Sequence, residues 1–260
     1  MPEKLDWDSS APLVIAHRGA SMYAPENTIA AFDLAIEMGA DAIELDAMLT
    51  ADGTPIVIHD HSLGRTTNGS GSVSSKTVSE IKLLDAGSAF DARFAGEKIP
   101  TLKEVFSAVG MKIMINVELK NYASPFDRLP ETVVELVREK GLSDRVLLSS
   151  FNPIALTKAQ RASAEIRRAA LIGGGPKFVR SFIEVFTNYS TLHPEVSLVD
   201  QAIIIKHHTA GHKVNVWTVN EESEMMRLLS MGVDGLITDA PDIAKKVIEN
   251  RTRGTTIDGN

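Results

Sequence analysis

The stretch Ile43–Asp60 constrains the fold of this chain more than any other. Ile43-Glu44-Leu45-Asp46 alternates apolar and acidic residues. On a strand, side chains alternate faces, so Glu44 and Asp46 point one way while Ile43 and Leu45 point the other. Asp52-Gly53 follows, the strongest short hairpin signal. If those two residues are the loop, Ala51 faces Thr54 and Asp46 faces His59. Cross-strand partners share a face about 5 Å apart. Two carboxylates and an imidazole are therefore expected in one spot. Acids left unpaired on the buried side of a strand are costly, which predicts a functional site over a solvated strand edge.

Composition narrows the classes. The 260 residues are 43% hydrophobic, enough for a sizeable core, and the net charge of −7 disfavours nucleic acid, whose phosphates need clustered Lys and Arg. With no Cys, disulfides, thiolate nucleophiles and Cys-zinc sites are excluded. Met1–Ala11 lacks an apolar leader-like run, and no segment reaches the ~20 apolar residues of a membrane span. A soluble cytoplasmic protein is the expectation.

The rest of the chain alternates strand and helix. Strands are expected at Pro12–Ala16, at the Ile43 stretch, and at Lys112–Leu119, Arg145–Ser149, Ile166–Leu171, Val196–Val199, Val214–Thr218 and Gly235–Thr238. Helices are expected at Asn27–Met38, Thr101–Val109, Pro130–Lys140, from Asn152-Pro153, near Lys177–Phe186, and at Gln201–Ala210, Glu221–Met231 and Pro241–Asn250. Eight such units in about 250 residues predict a TIM (β/α)8 barrel as a single domain over 1–260; a doubly wound open sheet is the alternative. His61–Pro100 breaks the rhythm. It is rich in Ser, Gly and Thr, carries only a capping box at Thr77-Val78-Ser79-Glu80, and reads as an insertion after the second strand, over the mouth. Such a loop is expected to shape substrate choice more than chemistry.

Barrel chemistry lies where strands end. His17 and Arg18 end strand one, Glu44 and Asp46 lie on strand two, Glu118 and Lys120 share a face of strand three, and Trp217 ends strand seven. Glu44, Asp46 and Glu118 would repel one another in a partly buried mouth. A divalent cation relieves that, and all-oxygen ligation suits Mg²⁺ or Ca²⁺. The bland alternative is a Glu118–Lys120 ion pair beside two hydrated acids. His17 and His59 bracket the acids and suit acid–base work, while Arg18 and Lys120 offer fixed charge to an anion. Gly173–Gly175 reads as a flexible loop, His208 and His212 as surface residues, His193-Pro194 as a strand-entry turn, and Asn27 and Arg65 as cap and loop anchor.

These residues, with His17-Arg18-Gly19-Ala20-Ser21, Pro25-Glu26-Asn27-Thr28, His59-Asp60, Arg65-Thr66-Thr67-Asn68-Gly69, Glu118-Leu119-Lys120, Trp217-Thr218-Val219-Asn220 and Gly232–Asp239, closely resemble the glycerophosphodiester phosphodiesterase family from about Leu13 to Asp242. Met22 and Ala47 depart from its pattern. The resemblance implies a TIM barrel, a metal at Glu44, Asp46 and Glu118, His17 and His59 as the acid–base pair, Arg18 and Lys120 on phosphate, and Trp217 lining the glycerol or head-group pocket. It further implies attack by the substrate's neighbouring hydroxyl, a cyclic phosphate that water opens, and release of glycerol 3-phosphate and an alcohol. Rival readings are a lysophospholipase D or sphingomyelinase D type of enzyme, which needs an apolar path where the insertion offers only Phe90 and Phe94, and a non-catalytic phosphate-binding barrel.

Overall fold

The computed structural model describes residues 6–175, 183 and 187–257. Its strands are β1 (Leu13–His17), β2 (Ala42–Leu49), β3 (Pro55–Val57), β4 (Met114–Leu119), β5 (Val146–Ser150), β6 (Arg167–Ile172), β7 (Thr191–Pro194), β8 (Lys213–Val216) and β9 (Gly235–Thr238). All but β3 run parallel, each beside the next, and β1 pairs with both β2 and β9. That double pairing closes the sheet into a TIM barrel and rules out the open alternative. The helices are α1 (Ile29–Glu37), α2 (Val78–Ile81), α3 (Leu102–Val109), α4 (Leu129–Glu139), α5 (Pro153–Ala162), α6 (Gln201–Thr209), α7 (Glu222–Met231) and α8 (Pro241–Ile257). The helix expected near 177–186 lies almost wholly outside the described residues.

Alternation along the strands makes two cores. Ile43, Leu45, Ile115, Val117 and Leu148 face outward and pack with Phe32, Val105 and Val133 of the helices. Leu13, Ile15, Ala42, Met114, Leu147 and Ala169 fill the lower interior, joined by Trp7. The indole of Trp7 donates to the Arg145 carbonyl at 3.1 Å and shuts the end of the barrel away from the site.

Three sequence expectations fail. The strand placed at Val196–Val199 lies instead at Thr191–Pro194, and Val196–Leu198 is a 3₁₀ turn. Pro194 ends a strand instead of opening a turn. Pro194 is tolerated as the last residue of the strand: its carbonyl accepts from the Trp217 amide at 3.1 Å, and the next amide, Glu195, bonds the Ile172 carbonyl at 2.8 Å. His193 is consequently fully buried.

The hairpin is also out of register by one. Ala47 pairs with Val57 and Leu49 with Pro55, which puts Ile58, not His59, opposite Asp46. The loop holds three residues because the Thr50 hydroxyl accepts from the Thr54 amide at 3.0 Å, and Gly53 closes it at φ +76°. A one-residue slip moves every side chain to the other face. His59 escapes that fate because β3 stops at Val57 and the chain bends at 59.

Residues 61–100 carry α2 and two 3₁₀ turns, and bury Leu63, Val73, Ile81 and Ile99 against Met48, Ile56 and Ile58 of the hairpin. The capping box at Thr77 forms as expected, and a second one at Thr101 opens α3. Phe32 is among the largest fully buried side chains. Phe32→Ala should lower unfolding free energy in urea by about 3–5 kcal/mol. A loss under about 1 kcal/mol would mean the outer core is not what holds α1 to the barrel.

Candidate active site

The upper interior is polar because register places acids side by side. Parallel pairing sets His17 beside Glu44, and Asp46 beside Glu118. Glu44, Asp46 and Glu118 are all buried, and each offers an oxygen within 4.8 Å of the others. His17, Arg18, Glu44, His59, Glu118, Lys120 and Trp217 line one cavity of about 130 Å³. Asp46, 1% exposed, lies behind them. The structure thus brings all eight expected residues together, despite the slipped hairpin.

Asp46 is the hub. Its carboxylate accepts from the Asn27 amide at 2.8 Å and pairs with Arg18 Nε at 3.3 Å and Lys120 Nζ at 3.5 Å. Burial would raise its pKa, but Lys120 and Arg18 outweigh burial and hold it below the usual carboxylate range. Glu44 and Glu118 go the other way. Burial, then the charge of Asp46, pushes Glu44 up to about 8 and raises Glu118 as well. Such a set suits a hard divalent cation, which would remove the repulsion.

Two residues here adopt left-handed backbone outside glycine, Arg18 at φ +56° and Asn27 at φ +60°. The first aims the Arg18 amide at Glu44 Oε2, 3.1 Å away. The second lets Asn27 hold Asp46 through both its amide nitrogen and its carbonyl oxygen, the latter accepting from the Asp46 amide at 3.2 Å. Asn27 is therefore a site residue; the helix cap is Thr28. Gly19, at φ +84°, lets the β1 loop lie on α1, where a Cβ would come within 2.7 Å of Ala31.

Each histidine has an acid behind it that sequence reading did not assign. His17 Nδ1 lies 2.7 Å from Asp239 Oδ1, and His59 Nδ1 lies 2.6 Å from Asp60 Oδ1. Nε2 of each ring is left for the cavity. For His17, burial lowers the pKa but Asp239 and Glu44 together raise it above its ordinary value. For His59, burial wins over Asp46 and lowers it. Asp60 was visible as a neighbour in sequence. Asp239 directly follows β9, at a strand end like that of Trp217.

Tyr122, also unforeseen, donates its hydroxyl to Glu118 Oε1 in a very short hydrogen bond. Trp217 donates its indole N–H to the His193 carbonyl at 2.9 Å, and its ring meets Phe151 edge-on at 5.6 Å. His208, read as a surface residue, pairs with Asp234 at 2.7 Å.

Acids, imidazoles and cations at the C-terminal ends of parallel barrel strands define a TIM-barrel enzyme. The chain belongs to the glycerophosphoryl diester phosphodiesterase family, whose model matches residues 17–243. Family membership makes it an enzyme of the phosphodiester hydrolase class, as the sequence resemblance implied. It is 41% identical over 234 residues to a glycerophosphodiester phosphodiesterase of Caldanaerobacter subterraneus, covering 88% of this chain and 95% of that one. Among solved structures it resembles an Oleispira antarctica phosphodiesterase in complex with the product sn-glycerol-3-phosphate, with TM-score 0.86, 34% identity, and 92% and 97% of the two chains covered. It also resembles a glycerophosphodiester phosphodiesterase of Agrobacterium tumefaciens, with TM-score 0.77, 33% identity, and 90% and 98% covered. Among the described residues, no helix is long and apolar enough to cross a membrane.

The His17–Asp239 pair carries a pH signature. Burial raises the Asp239 pKa, but the bond and charge of His17, with the bonds from Asn220 and Ser21, together outweigh it and hold Asp239 at about 2. A depressed acid stabilises above its unfolded value of 3.8, and a raised histidine stabilises below its unfolded value of 6.5. Wild type should therefore exceed Asp239→Asn in unfolding free energy most between about pH 4 and 6.5, the gap shrinking as pH rises through the folded His17 pKa. Urea titrations across pH 4–9 read it; a gap that widens with pH would disprove the pairing.

Proposed function

We propose that this chain hydrolyses glycerophosphodiesters to sn-glycerol 3-phosphate and an alcohol through a cyclic phosphate, with a divalent cation at Glu44, Asp46 and Glu118. One observation carries the reading: three buried acids with oxygens within 4.8 Å of one another, beside two imidazoles that each rest on an aspartate. The unit is the whole chain as one barrel domain, with 61–100 placed over the mouth. There Glu26 of the β1–α1 loop joins Arg65 and Phe90 in lining a second cavity of about 240 Å³.

The donor set fits the metal: all oxygen, buried, and too repulsive to stay fully ionised alone. When bound, a divalent cation such as Mg²⁺ or Ca²⁺ supplies charge that steadies the phosphoryl oxygens and acidifies a neighbouring hydroxyl. The protein groups do the rest. Arg18 and Lys120 hold fixed positive charge at the cavity wall and draw in the phosphate. Trp217 walls the glycerol or head-group side. One imidazole Nε2 takes the proton of the glycerol hydroxyl on the carbon next to the phosphoester, as its oxygen attacks phosphorus and the alcohol's P–O bond breaks. The other gives a proton to the departing alcohol, and the roles reverse when water opens the ring. Using the substrate's own hydroxyl brings the advantage of proximity, on the order of 10⁵ M or more in effective molarity.

Two experiments test this. Chelation should abolish release of glycerol 3-phosphate from glycerophosphocholine, Mg²⁺ or Ca²⁺ should restore it, and Glu118→Gln should demand far more metal. Full turnover by metal-stripped protein in chelator would refute the acidic site. His17→Ala and His59→Ala should each lose roughly 10²–10⁴-fold in kcat. The double variant should lose little more, since both act in one step. A folded, metal-loaded single variant with near-normal kcat would remove that histidine from the mechanism.

A further inference from the structure

Arg65 sits on the insertion, outside the barrel, yet it grips the site. Its Nε donates to Asp60 Oδ2 at 2.6 Å, and its Nη2 reaches Asp60 Oδ1 at 3.3 Å. Nη1 and Nη2 also form a forked pair with Glu26, at 2.7 and 2.8 Å. Arg18 Nη1 meets the same Glu26 at 3.1 Å and then Asp46. The result is a chain of alternating charge, Asp46–Arg18–Glu26–Arg65–Asp60, that ends on His59. It joins four pieces of backbone: the β1–α1 loop that carries Arg18 and Glu26, β2 with Asp46, the bend after β3 with Asp60, and the insertion with Arg65.

We infer that Arg65 is a positioning residue that locks the Asp60–His59 pair, so the insertion takes part in proton transfer and is not confined to choosing substrates. The inference rests on the reading of His59 as an acid–base group. Four of the five guanidinium N–H donors are already spent on two carboxylates, which leaves little charge for a phosphate. A direct role in substrate binding is therefore disfavoured. An isolated ion pair on a side chain 46% exposed would add little, but forked pairing to two anions fixes direction as well as charge.

The chemical consequence lies one bond further in. An anionic Asp60 accepts from His59 Nδ1–H, which fixes the ring flip and places the free Nε2 toward the cavity. The hydrogen bond from Arg65 is the largest cause holding Asp60 well below the usual carboxylate range. Asp46, Arg18 and Lys120 are the other charged groups felt by the ring, and none of them is placed on Nδ1. Without Arg65, Asp60 keeps His59 as its one side-chain partner among the described residues and is free to turn with it.

The test compares Mg²⁺-loaded wild type with Arg65→Gln, Arg65→Lys and, on the same insertion but away from this chain of charges, Arg93→Gln. The ¹⁵N resonances of the His59 ring, assigned against His59→Ala, report the tautomer; turnover of glycerophosphocholine gives kcat and KM. Wild type should show one Nδ1–H form. Arg65→Gln should show mixed tautomers and a kcat lower by roughly 10- to 100-fold, the scale known for outer partners of metal-bound histidines, with KM nearly unchanged. Arg65→Lys, which keeps the charge without the fork, should fall between, and Arg93→Gln should match wild type. An unchanged ring signature with kcat within about twofold, or a rise in KM alone, overturns the inference. If Arg65→Gln does not fold, the same readouts on Arg65→Lys decide. If wild type hydrolyses no glycerophosphodiester with either Mg²⁺ or Ca²⁺, the functional reading falls, and the ring signature still settles what Arg65 does.

Discussion

The mouth of this barrel depends on keeping one carboxylate charged where water cannot reach it. Asp46 is 1% exposed, and burial alone would neutralise it. Arg18, Lys120 and Asn27 prevent that, and the chain bends its backbone to deliver two of them. The left-handed residues Arg18 and Asn27 both touch Asp46, so local strain and the buried charge belong to one feature. The committed anion then sets its neighbours. Its field discourages ionisation of Glu44 and Glu118, which leaves the trio receptive to an added cation.

Much of this was legible beforehand because a barrel strand has two faces with opposite demands. In Ile43–Asp46 and Asn116–Leu119 the outward residues must be apolar and the inward ones near the mouth need not be, so alternation revealed both strand and site. The hairpin register was not legible. It turned on the Thr50 hydroxyl and a left-handed Gly53, and both loop lengths satisfy Asp-Gly at the tip. The β7 strand was missed because His193 and Pro194 look like loop residues, while Val196–Leu198 carries the apolar pattern. In the fold that pattern packs as a short turn. Asp239 and Tyr122 were passed over because their roles come from neighbours more than a hundred residues away or beyond a strand's end, where periodicity has no hold.

The insertion hangs from a hairpin that the ring does not need. The barrel closes through β1, β2 and β9, with β3 outside it. The loop nonetheless stays bound to the barrel. Asp52 at the hairpin tip accepts from the Val78 amide at 3.0 Å, and Lys82 bonds the Ile99 carbonyl at 3.0 Å beside the start of α3. A small apolar cluster fills the space beneath it. Freedom of length in this segment is thus combined with fixed attachment at a few polar points.

The chain has two tryptophans, and the fold sets them at opposite ends of the same interior. Trp7 is sealed into the floor, while Trp217 packs on the same cluster from above and lines the mouth cavity. The molecule therefore contains its own pair of optical reporters. Emission from Trp7 follows assembly of the barrel as a whole, through a contact that spans 138 residues. Trp217 lines the mouth cavity and is placed to report on its contents. Removing either one turns the other into a single-site probe that separates folding from ligand occupancy in one cuvette.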